Sequence, residues 1–498
     1  MLPEFPRNSR IRRWFVIGGI AAICVSCVSN RAYRDRDSRP WAREVSMSFV
    51  EEKQLNQYEP YTTQEANHRY DLSYIEFDEK GDYWDRRQLG WTGQAIRRVA
   101  RQHDVVLVMY VHGWQNDASP IRGHDVGKFK CLLEHLAEAD EGRHRFFGVY
   151  VAWRGKSIPG GDGMFPERSP LDYLAKGLFF VPHELSFFGR KNAATRVAGL
   201  PVTEALFQSV ATTRKAARES GHTSRTILVG HSFGALVLEK ALAQALAAKV
   251  ISEDEGTFTA PADFVVLLNS AGESIYAKEM IDMLRRRGSL QKGVPGEISA
   301  EHPLIVSITS KADWATGILF PVGTNLSNAT GLFRKYEWDD KYGTSSQNVS
   351  QREYFTQTPG HNVRLLSYVA KIKSGPARPP VYQESDNCPE EMLTALRRNL
   401  AERLVGPNGE IEFVTSGPDH QDTRWQLEET REEMDRPRLR TPYWIIQVPK
   451  EIIRDHSDIF NENALAMMAR LFRVSNPGSE PGVMTTAPRT MRLSDPGQ

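Results

Sequence analysis

The feature of this sequence that most restricts its fold is a series of short, continuous apolar runs separated by amphipathic stretches. "DVVLVMYVHGW" (104–114), "FFGVYVAW" (146–153), "TILVG" (226–230), "DFVVLLNS" (263–270), "PLIVSITS" (303–310) and "PYWIIQVP" (442–449) are rich in β-branched and aromatic residues. They are too evenly apolar for strands with one face in water, and such runs belong in a parallel sheet covered on both sides. The segments between them carry apolar residues at helical spacing: "WTGQAIRRVARQ", a stretch at about 125–139, "VTEALFQSVATTRKAARES", "GALVLEKALAQALAAKV", a stretch near 275–287 and "NENALAMMARLF". Strands alternating with helices across short connections imply right-handed crossovers. The expected fold is therefore α/β, with a mostly parallel central sheet flanked by helices. "LSYIEFDEKGDYWDRRQ" (72–88) reads as a strand and turn at the sheet edge.

Two long interruptions break this rhythm. Residues 154–200 are rich in Gly and Pro before the apolar segment "LAKGLFFVPHELSFFG", and residues 320–440 are mixed and locally polar. Long insertions at the carboxyl side of strands are usually functional or mobile, so the first reads as a cap or lid over a site or, equally, as a surface insertion packing its own small core. The main domain is expected over 66–475, preceded by a polar tether at 29–65 and followed by a flexible tail at 476–498. Over the 498 residues, Lys plus Arg (63) and Asp plus Glu (62) nearly cancel. That balance gives no electrostatic reason to expect a nucleic-acid partner.

The N-terminus points away from the cytoplasm. "RNSRIRRWFVIGGIAAICVSCVSN" places Arg7, Arg10, Arg12 and Arg13 before an apolar run from Trp14 to about Val28. The order is that of an export signal, and the run is short of the roughly 20 residues a spanning helix needs. The segment also resembles a bacterial lipoprotein signal, in which a lipidated cysteine follows the cleavage site. Cys27, after Val25 and Ser26, fits the small-residue part of that pattern, while Cys24 stands where leucine is usual. "RRWFV" resembles the core of a twin-arginine signal, and an uncleaved anchor is the plain alternative. Each reading places the folded part outside the cytoplasm, and the lipoprotein and anchor readings tether it to a membrane, as on the periplasmic side of a bacterial cell envelope. The remaining cysteines are Cys131 and Cys388, so one intramolecular bridge at most is expected beyond the signal segment. Cys131 lies among Phe129, Leu132, Leu133 and Leu136 at helical spacing, which suits a buried thiol. No metal-type Cys/His spacing appears, and no cofactor is called for.

The chemistry centres on "TILVGHSFGALVLEKAL" (226–242). A Gly-x-Ser-x-Gly pattern is common by itself, and its context decides its meaning. Here Gly230, Ser232 and Gly234 sit between a buried strand and a helix, where a sharp turn lifts a serine hydroxyl above the sheet and crowds out side chains on either flank. The serine also falls at a helix N-terminus, whose N–H groups and dipole favour a developing oxyanion. About 120 residues upstream, the strand "VLVMYV" ends in His112-Gly113.

On these two motifs the chain resembles the α/β-hydrolase family over most of residues 70–475. The resemblance implies Ser232 as nucleophile and an oxyanion hole from the backbone N–H groups of Phe233 and Trp114, with His112 ordering its loop. It also implies the chain order serine, acid, histidine. Asp313 in "SITSKADWAT", at the carboxyl end of a strand, is the expected acid, with Glu273 in "NSAGES" as reserve. For the base, His456 lies between the last strand and the last helix, as the family's histidine does. His361, in "QTPGHNVRLL", is the reserve. "WRGKS" (153–157) lacks the upstream glycine of a phosphate loop and is set aside.

The implied activity is hydrolysis of carboxylic esters or acyl lipids through an acyl-enzyme. Thioesterases, peptidases and acyltransferases use the same residues, and a non-catalytic binding protein on the same scaffold is the alternative. Nothing in the residue pattern sets an oligomeric state.

Overall fold

In a computed structural model of the chain, the described residues are 69–113, 116–118, 124–153, 191–252, 257–287, 302–321, 347–376, 390–401, 410–415, 422–430 and 441–475. Isolated short pieces at 32, 34, 64–66, 324, 333, 335–338 and 490–492 are also described. The signal segment with Cys27, the greater part of the lid segment (154–190) and Trp114 lie outside them.

Eleven strands form one sheet: β1 (Gln64–Ala66), β2 (Tyr70–Phe77), β3 (Val105–Val111), β4 (Arg145–Trp153), β5 (Ser224–His231), β6 (Phe264–Leu268), β7 (Ile305–Ser310), β8 (Tyr368–Ser374), β9 (Ile411–Thr415), β10 (Thr423–Glu429) and β11 (Tyr443–Val448). Their spatial order is β1-β2-β4-β3-β5-β6-β7-β11-β8-β10-β9. From β2 through β8 every pairing is parallel, and antiparallel pairs occur at the two edges. The fold is thus α/β with a mostly parallel mixed sheet.

The apolar runs explain this arrangement residue by residue. In β3, Val105, Leu107, Met109 and Val111 enter one hydrophobic cluster while Val106, Val108 and Tyr110 enter another. A strand alternates its side chains between faces, so a continuous apolar run feeds two cores at once. Full burial of each such side chain contributes about 1.5–3 kcal/mol. The helix Leu200–Glu219 packs on the first core through Val202, Leu206 and Val210, and Glu462–Val474 packs on the second through Leu465 and Leu471.

Several expectations change. The strand expected at the sheet edge, β2, is fully buried and second from the edge, where the three-residue β1 pairs with its Asp71–Ser73. Residues 320–440 contain β8, β9, β10 and the helix Glu390–Ala401, which extend the same sheet. In the tail, Thr490–Arg492 pairs antiparallel with Thr257–Thr259. Cys131 is disulfide-bonded rather than a free thiol. Within the stretch expected to be a tether, Arg34 is buried: its backbone N–H donates to Glu76 (2.8 Å), its Nε donates to the Ala118 carbonyl (3.0 Å), and its guanidinium lies over the Tyr74 ring.

Glu239, on the helix Phe233–Ser252 that follows β5, is fully buried. Its Oε1 accepts a hydrogen bond from the Tyr443 hydroxyl (2.8 Å). Burial pushes its carboxyl up to about 8, with the nearby Glu273 adding to the rise. The folded chain therefore keeps this proton through neutrality, while the unfolded chain releases it near the ordinary 4.5. Stability declines as pH rises from about 4.5 to about 8, because the folded state then binds more protons than the unfolded state. In Glu239→Gln the bond from Tyr443 is kept and the titration is removed. Denaturant unfolding at about pH 5 and about pH 8 is expected to show the variant gaining on the wild type by a few kcal/mol at the higher pH. An equal offset at both values would show that the proton is not held.

Candidate active site

β5 ends in His231, and the helix beginning at Phe233 starts one residue later, so the whole strand-to-helix reversal falls on Ser232. Its φ is +55°, a left-handed conformation that side-chain-bearing residues seldom adopt. The Ser232 N–H donates to the Leu268 carbonyl (2.9 Å), and its own carbonyl accepts from Leu236 N (3.2 Å) and Ala271 N (3.2 Å). The flanking glycines are required by space. A Cβ on Gly230 would lie 2.7 Å from Ala235 Cα, and one on Gly234 would collide with the Val111 and His112 carbonyls.

Asp313 follows β7 and His456 follows β11, the two strands on the β6 side of β5 that bring their carboxyl ends toward the turn. His456 Nε2 is 2.7 Å from Ser232 Oγ, and its Nδ1 is 3.0 and 2.9 Å from the two Asp313 carboxylate oxygens. Asp313 is held by N–H groups of Ala315 (3.0 Å) and Thr316 (3.2 Å) and by the Thr316 hydroxyl (2.5 Å). Burial alone would raise its pKa, but the His456 ring and the Thr316 donors outweigh that and hold it below the ordinary value. For His456 burial opposes protonation, the Asp313 carboxylate outweighs it, and the pKa is raised. An acid-base chain from a buried carboxylate through an imidazole to a hydroxyl therefore meets the strained serine.

Opposite, the loop after β3 brings Gly113 against Ser232: a Cβ there would lie 3.0 Å from Ser232 Cβ and 2.8 Å from His231 Nδ1. His112 is fully buried. Its Nε2 accepts from Trp153 N–H (3.0 Å), so Nδ1 carries the proton and donates to the Gly113 carbonyl (2.8 Å). Burial lowers its pKa, which keeps it neutral and suits it to ordering the loop. Phe233, the residue after Ser232, opens the helix; Trp114 lies outside the described residues.

Neither reserve residue takes the place of Asp313 or His456, although His361 lies near enough for the Asp313 carboxylate to act on it. Glu273 accepts from Lys191 Nζ (2.7 Å). His361 lies 3.0 Å from Thr358 Oγ1, and its ring packs on Gly317. Two further residues touch His456: His231, at the variable position before Ser232, has its Nε2 2.8 Å from the His456 carbonyl, and Asn269 has its Nδ2 2.9 Å from it. Among the described residues no group of three or more His, Cys, Asp or Glu side chains could hold a metal ion.

Comparison with known proteins adds little. No family model matches the chain, and no curated protein does. Among solved structures, an uncharacterized protein from Pseudomonas aeruginosa is similar at 11% identity with a TM-score of 0.23; the match covers 82% of this chain and 51% of that one, so this chain spans about half its length.

The electrostatics of the base give a measurable expectation. NMR titration should place the His456 pKa above the ordinary 6.5. In Asp313→Asn burial is no longer opposed by the carboxylate, and the pKa should fall below that value. An unchanged midpoint would mean that the carboxylate does not act on the ring.

Proposed function

We propose that this protein is a serine hydrolase of α/β-hydrolase type that cleaves carboxylic esters or acyl lipids through an acyl-enzyme on Ser232. The observation that carries the reading is the continuous hydrogen-bond chain Asp313–His456–Ser232, centred on a nucleophile-elbow φ of +55°. His456 Nε2 takes the Ser232 hydroxyl proton as Oγ attacks the carbonyl carbon. The tetrahedral oxyanion meets the N–H of Phe233 and that of Trp114, the resemblance's two donors. As the intermediate collapses, His456 passes the proton to the departing alkoxide. Water then attacks the acyl-enzyme, His456 again removes a proton, and the carboxylic acid leaves as the serine is restored. Asp313 keeps the imidazole in the Nδ1–H tautomer and stabilises the transient imidazolium.

Placement outside the cytoplasm belongs to the same proposal. It draws on the basic and apolar N-terminal segment and on the disulfide at Cys131, since such bonds persist in oxidising compartments. Arg34 adds an orientation. Its partners Glu76 and Ala118 lie near the carboxyl ends of β2 and β3, the sheet edge that also carries Ser232. Arg34 lies seven positions after Cys27, a reach of at most about 25 Å. An anchor at Cys27 therefore keeps the catalytic edge near the bilayer, which favours acyl lipids within the substrate class.

Nitrophenyl esters of short and long acyl chains test the activity. Wild type is expected to hydrolyse them, and Ser232→Ala to lose about 10⁴-fold or more in kcat while keeping the thermal midpoint within a few degrees. A folded wild type inert toward every ester, with and without a lipid interface, would favour the binding-protein alternative.

A further inference from the structure

We infer that His231 and Asn269 are positioning residues that clamp the main chain of the catalytic histidine, an assignment that rests on the hydrolase reading and extends it. Asp313 fixes the ring of His456; the backbone from which that ring hangs is fixed separately. Its carbonyl accepts from two side chains, His231 Nε2 (2.8 Å) and Asn269 Nδ2 (2.9 Å), and the Asn269 amide also reaches the Asp455 carbonyl (3.3 Å).

A carbonyl only accepts, so His231 must be the Nε2–H tautomer. Its Nδ1 is then a bare lone pair, buried, facing Gly113 and without a hydrogen-bond partner among the described residues. From one ring, His231 thus adjoins the nucleophile in sequence, packs on the loop after β3 and holds the loop of the base. Burial pushes its pKa down to about 4, with the nearby His456 charge acting in the same direction. His231 therefore stays neutral where His456 must cycle its proton, although the two ring centroids are 5.2 Å apart.

Asn269 ties the same carbonyl to the acid loop. It follows β6 at a φ of +44°, its N–H donates to the Ile308 carbonyl (2.8 Å), and its Oδ1 accepts from Ser310 N (3.0 Å). Ser310 Oγ in turn donates to the Ile453 carbonyl (2.6 Å). The ends of β5, β6 and β7 are thereby braced against 453–456. The clamp supplies distance control: Nε2 must stay within reach of Oγ, and misplacement by about 1 Å costs on the order of 100-fold in rate.

The test compares wild type with His231→Leu, His231→Gln and Asn269→Asp. Gln keeps a side-chain N–H donor; Leu keeps bulk and loses it. Asp keeps the acceptor for Ser310 N and loses the donor to His456. Two readouts are taken: the second-order rate of Ser232 labelling by a fluorophosphonate across pH, and the far-downfield proton resonance of His456 Nδ1–H bonded to Asp313. Leu and Asp variants are expected to label about 10- to 100-fold more slowly and to lose or shift the resonance. Gln should recover most of both, at thermal midpoints close to that of the Leu variant. Wild-type labelling and an unmoved resonance in His231→Leu would overturn the clamp, as would Gln behaving no better than Leu. An unlabelled wild type would sink the hydrolase reading instead, and the resonance would still decide whether His231 positions the ring. If His231→Leu fails to fold, Asn269→Asp carries the same two readouts: slowed labelling with a shifted resonance supports the clamp, and wild-type values of both overturn it.

Discussion

The structure around this site depends on keeping one serine in a backbone conformation it would not choose. A φ of +55° costs a residue with a side chain on the order of 1 kcal/mol or more, and Ser232 remains there because its surroundings over-determine it. Its N–H is bound to the end of β6, its carbonyl opens a helix and receives Ala271, and the glycines on either side allow the strand, the helix and the end of β3 to close on it. The strands that contribute to this packing are largely apolar and buried on both faces. The parallel sheet therefore aligns carboxyl ends along one edge, and the loops carrying Gly113, Asp313 and His456 follow from that alignment.

Three histidines share the site, His112 and His231 buried and His456 half-buried, and they differ in what opposes their desolvation. His112 and His231 face backbone groups, so desolvation dominates and both stay neutral. His456 faces a carboxylate that is itself kept ionised by Thr316, so desolvation loses and its pKa rises. One ring is thus set up to gain and lose a proton, and the other two act as fixed donors and acceptors. Fixed neighbours matter because a mobile dipole near the imidazolium would have to reorganise as charge develops.

Much of this was legible in the chain because its signals are local. The strand "TILV" before Gly230 and the helix after Gly234 mark the turn, Asp313 follows its strand by three residues, and His456 lies between the last strand and last helix. Strands β8 and β10 escaped because they are half-exposed and charged: Lys371 and Lys373 interrupt β8, and β10 buries only alternate residues, so neither gives an apolar run, while β9 is mostly buried but only five residues long with Glu412 inside it. His231 and Asn269 were invisible for a different reason. Their partner, the His456 carbonyl, is 225 and 187 positions away, and no periodicity encodes a side chain reaching a distant main chain. The same holds for Arg34, whose burial depends on Tyr74, Glu76 and Ala118 converging.

Activation of Ser232 by His456 is the step on which the proposed chemistry turns, and mapping a covalent adduct reads it out. The purified protein would be treated with a fluorophosphonate, digested with trypsin and analysed by mass spectrometry, beside His456→Ala. Cleavage after Arg225 and Lys240 isolates Ser232 on the peptide Thr226–Lys240. One adduct per chain is expected, located on Ser232 in that peptide and absent from the His456 variant. A folded protein that carries no adduct, carries it on another peptide, or carries it equally well without His456 would show that His456 does not activate Ser232.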